Sequence, residues 1–180
     1  MVREDLLLKT VLDLTRNQFE AAFCTLNRCI DLCPEESWNE PVVNLKFCQV
    51  AFHTLFFADL YLARSGDLEA FRKQPFHQEH LSFFRDYEKL QDRKQTLLYD
   101  LATTTSYLNH CRQKALDVVA AETAESLAGP SGFDWRDCSR AELHVYNARH
   151  IYHHSAQLSL RLRQIGEIDV PWISHAWQDK

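Results

Sequence analysis

A chain of 180 residues can bury a core without disulfides or metals, so one domain spanning residues 1–180 is expected. Hydrophobic residues at 46% and charged residues at 25% are ordinary for a globular protein, but four Gly and five Pro offer too few turns for a sandwich or barrel. The net charge of −5, with Lys and Arg dispersed among acids, provides no phosphate-tracking stripe, which argues against a nucleic-acid partner.

At the start, Met1 to Asp5 carries two acids before the first leucines and no small-residue cleavage site follows, so no secretory signal is expected. No apolar run reaches the length that spans a bilayer, and no membrane partner is expected. The first helix is read from Asp5 to Cys33, where Leu8, Val11, Leu12, Phe19, Phe23, Leu26 and Ile30 recur at helical spacing and Pro34 ends the run. The six cysteines, Cys24, Cys29, Cys33, Cys48, Cys111 and Cys138, form no C-x-x-C pair and are expected to be reduced thiols in the cytoplasm. Cys29 and Cys33, four apart, are spaced to pinch a soft metal, but small buried core thiols are the commoner finding.

A linker from Glu35 to Asn44 precedes a second helix, Leu45 to Arg64, in which Val50, His53, Phe57 and Leu60 line one side and Ser65-Gly66 supplies the stop. Residues 67 to 101 have broken periodicity and charge clusters such as Gln91-Asp92-Arg93-Lys94; they read as a long crossover with irregular helix. Thr103-Thr104-Thr105 offers caps for a third helix through Tyr107, Leu108, Cys111, Ala115, Leu116 and Val119, fading near Leu127. The Gly129-Pro130-Ser131-Gly132 loop continues through Asp134-Trp135-Arg136-Asp137, and Ser139 to Glu142 reads as a capping box opening a fourth helix that ends near Gln164. The expected fold class is all-α, a four-helix bundle with a long connection between helices two and three.

In the fourth helix Leu143, Asn147, Ile151, Leu158 and Ile165 share a face, with His150 and His154 inside or beside it and Gln157 and Arg161 near its edge. Residues four apart on a helix are neighbours, so the two imidazoles can converge on one ion. His153 is rotated about 100° from His154 and belongs at the flank, in a supporting or surface role. A third imidazole from another helix would complete an open three-nitrogen site, and His53, in the middle of an apolar helix, is the best placed. A lone histidine on an apolar face is more often a hydrogen-bonded core residue, so spacing alone leaves both readings of His53 open.

The segments Gln49-Val50-Ala51-Phe52-His53 and Arg149-His150-Ile151-Tyr152-His153-His154-Ser155-Ala156-Gln157-Leu158 together resemble the DinB-like family of metal-binding bundles, which is distinct from the DNA polymerases that share the name. In that family a mid-helix His on helix two joins an H-x-x-x-H pair on helix four, commonly followed by a Gly/Ala-Gln-hydrophobic stretch, here Ala156-Gln157-Leu158. Leu162 to Gly166 with Pro171-Trp172, and the Pro34 to Trp38 linker, are similar to the family's corresponding segments, whereas helix three and the crossover match only in outline. The resemblance implies an up-down-down-up bundle, one divalent transition metal near the helix ends on His53, His150 and His154, and a homodimer. Its members include thiol-dependent transferases and isomerases beside many without an assigned reaction, so fold membership confers no single activity.

Imidazole nitrogen does not discriminate zinc from nickel, iron or manganese. An ion held by neutral imidazoles keeps its charge, acidifies a bound water or thiol and polarises a carbonyl, which fits a hydrolase or a thiol-dependent transferase acting on a small molecule. Ile151 follows His150 where a zinc protease carries its glutamate, so peptidase chemistry of that kind is disfavoured. The rival reading is a non-enzymatic bundle in which the ion is structural or a ligand is only bound. His77 and His80 in the crossover, and Tyr107, His110 and Arg112 as a solvated helix face, are set aside. His144 and His175 carry no distinguishing signal, and Trp172 and Trp177 are read as docking the tail.

Overall fold

Among the described residues seven α-helices form: α1 (Val2–Asp31), α2 (Phe47–Leu62), α3 (Leu68–Arg72), α4 (Pro75–Glu79), α5 (Leu101–Ala120), α6 (Ala124–Ala128) and α7 (Arg140–Gly166). They come from a computed structural model that describes residues 2–90 and 95–179, with 3₁₀ turns at Glu35–Ser37 and Leu81–Tyr87. Among the described residues there is no strand, only the isolated bridges Pro41 to Lys46 and Pro130 to Ser139. The Gln91-Asp92-Arg93-Lys94 cluster lies outside the described residues.

The all-helical class agrees with the sequence reading. α1 packs on α5 and α7, and α2 packs on the same two. The registers are marked by side chains. Phe19 meets His144 and the Cys29 thiol reaches the Ser155 carbonyl between α1 and α7. Tyr61 meets Tyr146 and His53 meets His154 between α2 and α7. Cys111 reaches the Leu55 carbonyl and Lys114 reaches Asp59 between α5 and α2, and Arg112 pairs with Glu20 between α5 and α1. No helix among the described residues is long and apolar enough to cross a membrane.

Why α2 lies at the centre follows from its composition, since a helix that is apolar all round must be covered all round. Every residue of α2 is buried except His53 and Phe57. Its outer side is closed by the crossover: Phe52 stacks on Tyr99 at 3.9 Å between ring centroids, and Phe56 packs on Tyr87 at 4.4 Å. The crossover's broken periodicity reflects this duty, because short pieces each bring their own side chains to the α2 surface, Phe71 from α3, His77 from α4 and Phe83, Phe84 and Tyr87 from the 3₁₀ turn, rather than one continuous face.

Two buried carboxylates lock these pieces together. Asp59, fully buried on α2, accepts from the Tyr107 hydroxyl at 2.8 Å and lies 2.7 Å from His77 Nε2, with the Lys114 ammonium on its other oxygen. Burial pushes its carboxyl up, but the His77 contact and the Lys114 charge outweigh that and hold it at about 2. Glu122, beyond α5, accepts from Arg140 Nε at 3.0 Å, Arg64 Nη1 at 2.9 Å and the Ser126 hydroxyl, and its Oε1 lies 3.0 Å from His144 Nε2. Here too burial raises the carboxyl, and the Ser126, Arg140, Arg64 and His144 contacts bring it down to about 2. Such anions are tolerable in a core only because every charge has its partner.

Several boundaries move from their expected places. The N-cap of α5 is Asp100, whose carboxylate accepts from Thr103 N at 2.7 Å, rather than the Thr103 to Thr105 run. The fading end of that helix is a separate turn, α6, capped by Thr123. At α7 the Ser139 half of the expected box forms, with its hydroxyl accepting from Glu142 N. The six thiols are unpaired: Cys24, Cys29, Cys48 and Cys111 are buried, while Cys33 and Cys138 are half-buried. Burial pushes Cys29 up to about 12, which keeps it protonated and suits a core thiol rather than a metal ligand. Of the tail tryptophans, Trp177 lies under the Arg112 guanidinium at 3.8 Å, whereas Trp172 is 87% exposed and docks nothing.

Candidate metal centre

His53 stands at the middle of α2, and His150 and His154 stand one turn apart on α7. The register between the two helices brings the three together. The ring centroids of His53 and His150 are 5.6 Å apart, those of His53 and His154 4.8 Å, and those of His150 and His154 4.6 Å. Each ring offers one nitrogen to the cluster, and those three nitrogens lie within 4.8 Å of one another. Asn147, one turn before His150, helps hold this register by donating to the Ala58 carbonyl at 2.9 Å.

Ordinary core histidines use both nitrogens on protein partners, and His150 departs from that pattern. His53 Nδ1 lies 3.0 Å from the Tyr87 hydroxyl, and His154 Nδ1 lies 2.9 Å from Gln157 Oε1, in each case fixing the ring while the cluster takes a nitrogen. Outer hydrogen bonds of this kind orient metal-binding imidazoles. His150 Nδ1 is buried with no hydrogen-bond partner. Burial, aided by the positive potential of His154 and His53, pushes His150 down to about 3, and burial also lowers His154. Both rings are therefore neutral near pH 7, the form that binds a cation. His153 is exposed at the flank, where it shares Gln157 with His154.

The three rings sit on the wall of a cavity of about 770 Å³ that also reaches Phe57, Tyr61, Trp135 and Tyr146. The only two residues of α2 that escape burial, His53 and Phe57, both line it. A cation at this place would thus have protein on one side and an accessible volume on the other, as an exchangeable coordination position requires.

Comparison with protein-family models, curated proteins and solved structures finds no match to this chain.

A second group, Asp59, His77 and His110, also places one donor from each residue within 4.8 Å, so two groups spaced to hold an ion occur among the described residues, a half-buried one of three histidines and this more deeply buried one. Its carboxylate is already engaged by Lys114, Tyr107 and His77, and an added cation would face the Lys114 ammonium in a dry interior. This cluster is better explained as an ion-pair clamp. Sequence reasoning set His77, Tyr107, His110 and Arg112 aside as loop or solvated-face residues. In the structure His77 and Tyr107 are buried on Asp59, and Arg112 is paired with Glu20. His144, which carried no signal, is buried against Glu122. Asp59 itself was the overlooked cue: a lone acid inside the apolar run Phe56-Phe57-Ala58-Asp59-Leu60 cannot remain there unpaired.

Proposed function

We propose that this chain binds one divalent transition metal through His53, His150 and His154 and uses it in a hydrolytic or thiol-transfer reaction on a small molecule. The observation that carries the reading is the convergence of three imidazole nitrogens from two helices at the wall of an accessible cavity. The remainder of the cavity wall mixes aromatic and aliphatic side chains with Glu88, Lys89 and Arg136, and its volume leaves room for a water, a thiol or a substrate beside the ion.

Membership of the DinB-like family belongs to the same proposal. It is supported by the motif order quoted above and by the packing registers. Residue numbers rise together between α1 and α7, and between α2 and α5; they run oppositely between α2 and α7. Those registers fit an up-down-down-up order for α1, α2, α5 and α7. A homodimer and a cytoplasmic location also belong to this proposal, on the resemblance and the cysteine pattern alone.

Within the site the chain's own residues have separable tasks. Bound by neutral imidazoles, a divalent ion would supply Lewis acidity, lowering the pKa of a bound water or thiol and polarising a carbonyl. Tyr87 and Gln157 hold His53 and His154 in orientation, and Phe57 and Tyr61 cover the inner side of the His150 ring. No carboxylate lies among these partners, and Glu88 is the carboxylate on the wall of the same cavity.

Elemental analysis of untagged protein tests the reading. It predicts close to one equivalent of metal in the wild type and a loss of at least tenfold in His53→Ala, His150→Ala and His154→Ala. Metal content unchanged by all three substitutions would remove the site.

A further inference from the structure

The loop between α6 and α7 brings a cationic group to the same cavity that neither the fold nor the metal reading uses. Arg136 is half-buried on the cavity wall. Its Nη2 donates to the hydroxyls of Tyr61, at 3.1 Å, and Tyr146. Its guanidinium carbon lies 4.1 Å from the Tyr146 ring centroid and 5.5 Å from that of Tyr61. Among the described residues no carboxylate pairs with it, and its Nε is buried without a hydrogen-bond partner. Elsewhere in the chain Arg112 and Arg140 have their carboxylates, Glu20 and Glu122, and Arg28, away from this cavity, gives its Nη2 to the Gln178 carbonyl at 2.7 Å.

Desolvating a guanidinium against neutral tyrosines leaves most of its charge uncompensated. The loop nevertheless fixes it in place. Arg136 N donates to the Phe133 carbonyl at 2.8 Å, and the Ser131 hydroxyl donates to the Arg136 carbonyl at 2.8 Å. The loop is tied to the end of α2 by Gly66 N donating to the Gly132 carbonyl at 3.0 Å. Next to Arg136, Trp135 lies over Gly66 so closely that a Cβ there would meet its ring at 2.5 Å. With Nη2 committed to the two hydroxyls and Nε buried, Nη1 is left as the uncommitted donor of a fixed, uncompensated cation beside aromatic walls, an arrangement that favours an anionic oxygen on an apolar body.

We infer that the cavity takes a small organic anion, a carboxylate or a phosphate monoester. Its charged end docks on Arg136, and its apolar part lies against Phe57, Leu68 and Trp135. The placement of the molecule's reacting end beside His53, His150 and His154 rests on the metal reading; the docking on Arg136 does not. Both anion classes present a charged oxygen to a guanidinium, and the direct comparison of probes separates them.

The test is isothermal titration of the full chain, metal-free and zinc-loaded, with phenylacetate, phenyl phosphate and the neutral phenylacetamide. At least one anion is expected to bind both forms at least tenfold more tightly than phenylacetamide. Arg136→Gln is expected to abolish that margin, and Arg136→Lys, which keeps the charge without the planar guanidinium, to retain part of it. Equal affinity of the wild type for both anions and the amide overturns the inference, as does no measurable binding of either anion, and neither result depends on a variant folding. A margin that survives Arg136→Gln, or that exists only in the zinc-loaded protein, assigns the anion elsewhere and also overturns it. Anion preference intact in a protein that binds no zinc upholds the role of Arg136 while removing the metal reading.

Discussion

His150 has little alternative use for its imidazole. One nitrogen is buried without a partner, the ring is held neutral by burial, and the neighbouring positions on two helices carry the same ligand type. The contrast with His144 on the same helix is instructive, because that ring is more deeply buried but is bonded to Glu122 and flanked by Arg140. Sequence periodicity could separate the two only in part. The i, i+4 pair His150 and His154 is visible in the sequence, whereas the partner of His144 lies on a turn between helices, beyond the reach of any helical spacing. Arg136 was illegible for a similar reason, since its place in a Gly-rich loop says nothing about which tyrosines it meets. At this scale the account predicts that Tyr87→Phe, which removes the hydroxyl against His53 Nδ1, weakens metal affinity by about 10–100-fold while leaving three ligands in place. Competition with a fluorescent chelator measures this, and unchanged affinity would show that Tyr87 does not orient the ring.

At the scale of elements, α1, α5 and α7 were legible because each repeats apolar residues at 3.6-residue spacing over several turns, and α2 because its long apolar run ends at Ser65-Gly66. The short ones were not. α3, α4 and α6 are five residues each, too short for a period, and are fixed by tertiary contacts such as His77 on Asp59. Asp59→Ala removes the anion that ties α2, α4 and α5 and leaves the Lys114 ammonium unpaired. A loss of about 3–5 kcal/mol in urea unfolding is expected. A loss below about 1 kcal/mol would mean that solvent reaches Lys114 and the clamp is loose. The loop carrying Arg136 has its own test. Gly132 has φ of +88°, and a Cβ there would meet the Arg64 carbonyl oxygen at 2.2 Å. Gly132→Ala should therefore cost at least about 1–3 kcal/mol and weaken anion binding together with stability; a neutral substitution would contradict the close approach of loop and α2.

For the molecule as a whole, both carboxylate hubs and the neutral histidines make stability depend on pH in one direction. The folded His144 resists protonation down to about 4 because of burial and Arg140, whereas the unfolded chain takes up that proton near 6.5. The unfolded state thus binds more protons between those values, and stability falls as pH drops from 6.5 towards 4. Glu122 and Asp59, held at about 2 when folded, add stability that is present above their ordinary values of 4.5 and 3.8 and is lost below them. Urea titrations of metal-free protein at pH 7, 5.5 and 4.5 should show a continuous decline, with each group contributing about 1.4 kcal/mol per pH unit at its steepest. Constant stability over that range would contradict the buried, neutral state of His144.

The identity of the ion's ligands is the claim on which the functional account stands, and X-ray absorption of the zinc-loaded protein reads it most directly. Three imidazoles with zinc–nitrogen distances of about 2.0–2.1 Å are predicted, together with one light-atom ligand from solvent. A shell with two or fewer imidazoles, as Asp59, His77 and His110 would give, or one containing sulfur, would contradict it.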